Sequence, residues 1–139
     1  MTATARSIQP QPVGTTADLS GPALRSFFRI AGLWQLTTDE QIILLGAPAR
    51  STYFKWRQTQ GAGVRLSRDT IERISYILGI YKALQILLPD PTAADTWVRR
   101  PNQAAPFGGR PALARMLSGN VADLLAVRQY LDAQRGGWA

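Results

Sequence analysis

The sequence predicts an all-α protein in which an N-terminal helix-turn-helix bundle is joined by a long central helix to a smaller helical domain. Two observations lead to this prediction. Apolar residues recur at helical spacing along most of the chain, and no useful length of sequence alternates between apolar and polar residues as a half-buried strand does. Glycines, prolines and cap residues divide the chain into seven short-to-medium helical segments.

The size and charge of the chain set the range of architectures and partners. Its 139 residues, 45% of them hydrophobic, suit one compact domain or two small modules that share a core. The formal net charge is +7, and fourteen of the sixteen basic residues are arginine. This balance favours an anionic partner such as nucleic acid or an acidic protein surface, although a basic charge can also serve solubility alone.

The absence of cysteine and histidine argues against catalysis. Without them the chain has no disulfide framework, no thiolate nucleophile, and neither the commonest general base nor the commonest metal ligand. An enzyme would have to use the nine carboxylates or Ser, Thr, Tyr and Lys, and no carboxylate pair has convincing catalytic partners around it. We therefore predict a binding protein with no cofactor, no metal site and no catalytic residue.

The N-terminal segment carries no recognisable signal. Residues 1–19 are rich in Thr, Ala, Pro and Gln and are predicted to form a flexible tail without the apolar region of a secretory signal. The longest apolar stretch, Ile74 to Leu88, contains Lys82 and Gln85 and is short for a bilayer span. We expect a cytoplasmic protein with no membrane contact.

The first helices follow this tail. Helical spacing of apolar residues begins at Pro22, and Gly32 weakens the end of that helix. Thr37 precedes Glu40 by three residues, the arrangement of a capping box, and opens a short helix over Thr38 to Leu45.

A second short helix, from about Ala49 to Gln58, follows the turn at Gly46 to Pro48, and the pair resembles a helix-turn-helix. The second helix of that motif lies in the DNA major groove. Tyr53, Phe54 and Trp56 are expected in the core rather than stacked on bases. The predicted DNA-binding residues are the polar and basic side chains Arg50, Ser51, Thr52, Lys55, Arg57 and Gln58.

The long central helix begins after Ser67, a favourable N-cap, and ends at Pro89. Gly79 lies in its interior, where glycine is unfavourable by about 1 kcal/mol relative to alanine. We interpret this glycine as a point where another helix approaches closely. The loop from Gln60 to Val64, which precedes the helix, is expected to be flexible because of its two glycines.

The C-terminal part begins with Asp90 and Pro91 as cap and first residue of a short helix to about Arg100. A loop rich in proline and glycine follows, then short helices over Ala112 to Leu117 and Val121 to about Gln134. The predicted division is a tail over 1–19, a helix-turn-helix domain over 20–88 and a second domain over 89–139.

Two features of the last helix and its tail suggest contact with another protein. Arg128 and Asp132 lie within the apolar stripe of the helix, either as an ion pair at the edge of the core or as part of a partner-binding face. Trp138 follows a Gly-Gly pair, interpreted as a hinge, one residue from the C-terminus. Trp and Arg are frequent binding hot spots, and Arg135 lies nearby.

The runs LLGAPARSTYFKWR (Leu44 to Arg57) and TWVRRPNQAAPFGGRPALARMLSGNVADLLAVRQYLDAQRGGWA (Thr96 to Ala139) resemble an antitoxin of the Xre/MbcA/ParS type. The resemblance covers about residues 20–139. The signature residues are Trp97, Pro101, Asn102, Phe107, Gly109, Pro111, Leu117, Gly119, Val127, Tyr130 and Leu131.

This resemblance implies an Xre-like helix-turn-helix and a C-terminal toxin-binding domain. The partner would be similar to a RES-domain toxin that degrades NAD or transfers ADP-ribose, and the antitoxin would block its NAD pocket and repress its own operon. A homodimer within a larger hetero-oligomer and operator DNA are the other expected partners. The alternative is a stand-alone helix-turn-helix regulator without a toxin. The candidate toxin-binding residues are Asn102, Phe107, Arg110, Arg128, Tyr130, Asp132, Arg135, Gly136, Gly137, Trp138 and Ala139.

Overall fold

The computed structural model describes residues 16–137 and confirms the all-α prediction. Within that range the backbone forms seven α-helices and one 3₁₀ turn, and extended backbone pairs only at an isolated bridge between Pro101 and Pro111. None of the described helices is both long and apolar enough to cross a bilayer. The elements are α1 (Thr16–Leu33), α2 (Thr38–Leu44), α3 (Arg50–Thr59), α4 (Arg68–Leu87), α5 (Pro91–Thr96), the 3₁₀ turn (Trp97–Arg99), α6 (Ala112–Met116) and α7 (Val121–Gly137).

Helix α1 begins at Thr16, ahead of Pro22, where the sequence predicts its start. The last four residues of the predicted tail are therefore helical, whereas residues 1–15 lie outside the described range. Contacts with a distant loop stabilise these first turns. The backbone N–H of Leu66 donates a hydrogen bond to Ser20 Oγ at 2.8 Å, and Ser20 is fully buried.

The same loop was expected to be flexible because it contains Gly61 and Gly63, but it packs closely on α1. A Cβ on Gly61 would lie 3.0 Å from the Cα of Gly21, and the backbone there has φ +82. Gly63 also has a positive φ, but no atom would lie within 4 Å of its Cβ. Gly61 is therefore required by close backbone approach, and the expectation of flexibility is wrong for this part of the loop.

The predicted caps are present. Thr37 Oγ1 accepts from the N–H of Glu40 at 3.1 Å, while Glu40 Oε1 accepts from the N–H of Thr37 at 2.9 Å. Ser67 Oγ accepts from the N–H of Thr70 at 3.1 Å. Asp90 caps α5, as predicted, through Oδ2. These contacts satisfy N–H groups that the first turn of a helix leaves unpaired.

Helix α4 is the central pillar of the fold. It packs against both α1 and α7, and its Ile74, Ile77 and Ile80 are buried. Buried side chains from residue 24 to residue 131 form a single core cluster. Gly79 allows the close approach that the sequence indicates, since a Cβ there would lie 2.6 Å from Nε of Arg128 on α7.

Candidate nucleic-acid interface and partner-binding groove

Tyr53 fixes α3 against α2 and so determines which side of α3 faces solvent. Its side chain is 1% exposed, and its hydroxyl donates to Oε1 of the buried Gln41 at 2.6 Å. Gln41 Nε2 in turn donates to the carbonyl oxygen of Leu36 at 3.0 Å. The turn between the helices places Gly46 and Ala47 at positive φ values of 96 and 61.

The predicted DNA-binding residues occupy the outer part of α3. Thr52 is half-buried, and the other five are exposed. At about 100° per residue, Arg50, Ser51, Lys55 and Gln58 share the side opposite the half-buried Trp56. The helix therefore presents a polar and basic surface of the kind that contacts phosphates and base edges.

Two arginines of α3 are oriented by aromatic rings. Nη1 of Arg50 lies 2.6 Å from Oδ1 of Asp39, and its guanidinium lies 5.7 Å from the centre of the Phe54 ring. The guanidinium of Arg57 lies 5.1 Å from the centre of the Phe28 ring. Both cations remain exposed, so each can reach an anionic partner.

The prediction that all three apolar residues of α3 belong to the core is wrong for one of them. Tyr53 is buried and Trp56 is half-buried, but Phe54 is 49% exposed. On the helix, Phe54 follows Arg50 by four residues and precedes Gln58 by four, so these residues form one row along the solvent side. Sequence analysis missed Phe54 as a functional candidate, although its spacing from Arg50 and Gln58 contains the necessary signal.

In the C-terminal part, Asn102 closes the loop between the 3₁₀ turn and α6. Its side-chain Oδ1 accepts from the N–H of Ala104 at 2.9 Å, and its carbonyl accepts from the N–H of Gly109 at 2.7 Å. Its N–H donates to the carbonyl of Arg110 at 3.3 Å. These contacts give the Asn102 side chain a structural role in shaping the loop.

Three aromatic rings hold this loop against α7. The centres of Phe107 and Tyr130 are 5.3 Å apart with their rings nearly perpendicular, and those of Trp97 and Phe107 are 5.8 Å apart in a similar geometry. Phe107 is only 5% exposed, whereas Trp97 and Tyr130 each retain some solvent exposure. Phe107 therefore serves chiefly in packing, and Tyr130 offers an edge to the surface.

A groove opens between the C-terminal ends of α4 and α7. It has a volume of about 710 Å³. The side chain of Arg128 lies against Gly79 and reaches this groove, where its Nε is 3.6 Å from Oδ2 of Asp132. Nη1 of Arg135 is 3.8 Å from Oδ1 of the same aspartate. The groove is lined by Ile86, Leu87, Arg128, Asp132, Arg135 and Gly136.

Four of the candidate toxin-binding residues therefore line this one groove: Arg128, Asp132, Arg135 and Gly136. Two others, Arg110 and Tyr130, lie at different pockets. Arg110 lines a second, smaller pocket beside Pro106 and Arg115. Tyr130 borders a third with Trp97 and Leu131. Sequence analysis missed Ile86, which is 52% exposed at the groove, because the groove forms only where α4 meets α7 in the folded chain.

The predicted Gly-Gly hinge is wrong, because α7 continues through Gly136 to Gly137. Glycine weakens a helix by about 1 kcal/mol but retains both backbone hydrogen-bonding groups, so the helix need not stop there. Trp138 and Ala139, the remaining candidates, lie outside the described residues.

The turn before α7 fixes the start of that helix. Asp123 accepts from Ser118 Oγ at 2.7 Å and from Nε of Arg115 at 2.9 Å. The Ser118 hydrogen bond, followed by the Arg115 contact, lowers the pKa of the Asp123 carboxyl below its usual value. Among the described residues, no group of three or more His, Cys, Asp or Glu side chains could hold a metal ion.

Comparison with known proteins gives two family matches and one curated relative. Residues 14–79 match the antitoxin Xre-like helix-turn-helix domain, and residues 83–137 match the antitoxin Xre/MbcA/ParS C-terminal toxin-binding domain. The chain is 56% identical over 114 residues to the uncharacterized protein y4oB of Sinorhizobium fredii, an alignment that covers 82% of this chain and 84% of the relative. These matches agree with the resemblance that the signature residues indicate.

Proposed function

The chain belongs to the family of Xre/MbcA/ParS antitoxins, and we propose that it neutralises a RES-domain toxin that degrades NAD or transfers ADP-ribose. Its C-terminal region would occlude the NAD pocket of that toxin. The chain itself acts as a regulator rather than an enzyme. The groove between α4 and α7 is the observation that carries the proposal, since it combines exposed apolar surface with charged side chains.

The charges of the groove are loosely paired and available to a partner. Arg128 and Asp132 have 37% and 46% exposed side chains, and their closest N and O atoms are 3.6 Å apart. Exposed pairs of this kind contribute little to folding, about 0–1 kcal/mol, so they can exchange partners at small loss. Arg135 can then pair with a toxin carboxylate, while the carboxylate of Asp132 can take the place of a substrate phosphate.

The last residues supply the occluding element of this proposal. Helix α7 carries Arg135 and Gly136 at the rim of the groove, and Trp138 comes two residues after Gly136 in the sequence. A tryptophan ring can replace a nicotinamide or adenine ring because both are flat aromatic groups of similar size. Because α7 is helical to Gly137, it presents Arg135 and Gly136 to the toxin on a helix rather than on a hinged tail.

An NAD-consumption assay with the RES-domain protein from the same operon tests neutralisation. We expect Arg128→Ala with Arg135→Ala to weaken inhibition at least 10-fold, and a chain ending at Gly137 to bind the toxin yet inhibit poorly. Arg29→Ala, which removes an exposed arginine on α1, is the matched control. Full inhibition by the truncated chain would exclude occlusion by Trp138 and Ala139.

We further propose that a homodimer binds operator DNA through α3 and represses its own operon. The exposed basic side chains of α3 support this proposal. A plot of the logarithm of the binding constant against the logarithm of the salt concentration should be a falling straight line. Arg50→Ala, Lys55→Ala or Arg57→Ala should each make its slope shallower by about 1. Repression that persists without any toxin partner or toxic neighbouring gene would favour the stand-alone regulator instead.

Residues 20–88 and 89–139 differ in their proposed functions, but they do not fold as independent units. We propose that the first part binds DNA and the second binds toxin. The single core cluster supports this interpretation, because α4 contributes buried residues to the packing of both parts. Separate expression of residues 89–139 should therefore give an unfolded or aggregating fragment.

A further inference from the structure

Phe54 is an exposed aromatic side chain whose contact with the core is an edge-to-face pair with Tyr53, the two ring centres being 5.2 Å apart. It is one of four large apolar side chains exposed in the described range, together with Leu19, Leu33 and Ile86. Phe54 as a whole residue is 49% exposed, although its neighbour Tyr53 is almost completely buried. The exposed part of Phe54 is therefore open to a ligand of α3, which would bury it further.

The surroundings of the ring favour a polyanion as that ligand. Phe54 lies in the row between Arg50 and Gln58, with Lys55 and Arg57 beside it, all exposed. The nearest acidic group in contact with this row is Asp39, which pairs with Arg50 at 2.6 Å. Surfaces that bind DNA are strongly basic, whereas the central part of a protein–protein interface is apolar and poor in charged residues. A basic surface around one exposed ring therefore fits DNA better than a protein partner.

We propose that Phe54 reads a thymine in the operator by packing its ring against the 5-methyl group in the major groove. Thymine is the base that presents a methyl group there, and phenylalanine is among the side chains that contact it. This inference rests on the proposed binding of DNA through α3. It adds sequence discrimination to the phosphate contacts that the arginines supply.

The ring has a second effect, because it also positions Arg50. The guanidinium lies 5.7 Å from the ring centre, and its Nη1 is paired with Oδ1 of Asp39 at 2.6 Å. Arg50 thus presents its remaining N–H groups beside the ring. A methyl-reading ring and an adjacent oriented cation form one recognition element on the outer side of α3.

Uracil substitution in the operator tests the proposal with the full-length protein. After the bound segment of its own promoter has been located by footprinting, each thymine in it is replaced in turn by uracil, which lacks only the methyl group. We expect one thymine, or its equivalent in each half-site, whose replacement weakens binding of the unaltered chain about 4-fold, as for one buried methylene.

Phe54→Ala should weaken binding to the thymine operator by at least the same factor and bind the thymine and uracil versions equally. Phe54→Leu should retain part of the discrimination, because it keeps an apolar side chain there. Leu33→Ala, which shortens an exposed apolar side chain at the end of α1, should leave both affinities unchanged. Circular dichroism and thermal unfolding confirm that each variant is folded.

The outcomes separate this inference from the proposed function. Promoter binding in which Phe54→Ala discriminates thymine from uracil as the unaltered chain does would overturn the role of Phe54 alone. Failure of the unaltered chain to bind its promoter would overturn both. A change in oligomeric state or toxin affinity on Phe54→Ala, with DNA affinity unaltered, would show that the ring belongs to a protein interface and would also overturn it.

Discussion

Arg99 donates a hydrogen bond from Nη2 to Oε1 of Glu40 at 2.8 Å and so links the 3₁₀ turn to the first turn of α2. The same side chain donates to the carbonyl oxygens of Gln35 and Trp34, at 2.7 and 3.0 Å. Glu40 Oε1 is also the acceptor that completes the capping box with Thr37. The toxin-binding part thus holds the helix-turn-helix part at the N-terminus of its first short helix.

Arg99→Ala should lower the free energy of unfolding by about 1–2 kcal/mol. Three charge-assisted contacts are lost, but the effect is limited because the Arg99 and Glu40 side chains are 37% and 19% exposed. Urea denaturation measures the change. Arg100→Ala, at the exposed neighbouring arginine, is the control and should change stability by less than about 0.5 kcal/mol. Equal values for the two variants would contradict the link.

Gly61→Ala should destabilise the fold by about 2–4 kcal/mol, because alanine is strained at φ +82 and the new Cβ would lie 3.0 Å from both Cα and the carbonyl oxygen of Gly21. Gly63→Ala is the matched control. It has the same positive sign of φ but open space around the Cβ, and should lower stability by only about 1 kcal/mol. Thermal unfolding of the two variants separates backbone strain from the close approach of α1.

Gly79→Ala should weaken inhibition of the toxin while leaving the free energy of unfolding nearly unchanged. Alanine favours the helix by about 1 kcal/mol, but its Cβ would displace the side chain of Arg128, whose Nε lies 2.6 Å from that position. Since Arg128 is long and partly exposed, it can swing away, so we expect little net change in stability and weaker inhibition of the toxin.

The background variant Arg128→Ala provides the control for this prediction. Without the arginine side chain, Gly79→Ala should stabilise the chain by about 1 kcal/mol, the full helix propensity difference. A loss of more than about 2 kcal/mol for Gly79→Ala alone would show that Arg128 cannot leave the groove, contrary to the prediction.

Ser118→Ala should destabilise the protein more at pH 7 than at pH 3. The Ser118 hydroxyl donates to the Asp123 carboxylate and is the main cause of its lowered pKa. A lowered folded-state pKa stabilises the fold above the unfolded value, near 3.8, and this contribution disappears as the pH falls through the folded value. Urea denaturation at the two pH values measures the difference, and a pH-independent effect would contradict it.

Much of the candidate DNA surface could be predicted from sequence, because helical spacing alone places Arg50, Lys55 and Gln58 on one side of α3. Phe54 was misplaced because apolar character suggests burial, whereas the orientation of the helix is set by the Tyr53–Gln41 contact. Of the residues that line the groove, only those on α7 were predicted from sequence as candidates for toxin binding. Its α4 wall, including Ile86, depends on how two helices far apart in sequence pack together.

The sequence by itself determined the all-α class, the family resemblance and the caps at Thr37, Ser67 and Asp90. The class follows from the helical spacing of apolar residues along the chain, and each cap depends on a hydrogen bond between residues three positions apart. The tertiary structure decided which glycine is packed, Gly61 rather than Gly63, and joined Arg99 to Glu40. Such contacts form only when distant helices meet, and local spacing does not specify where that happens.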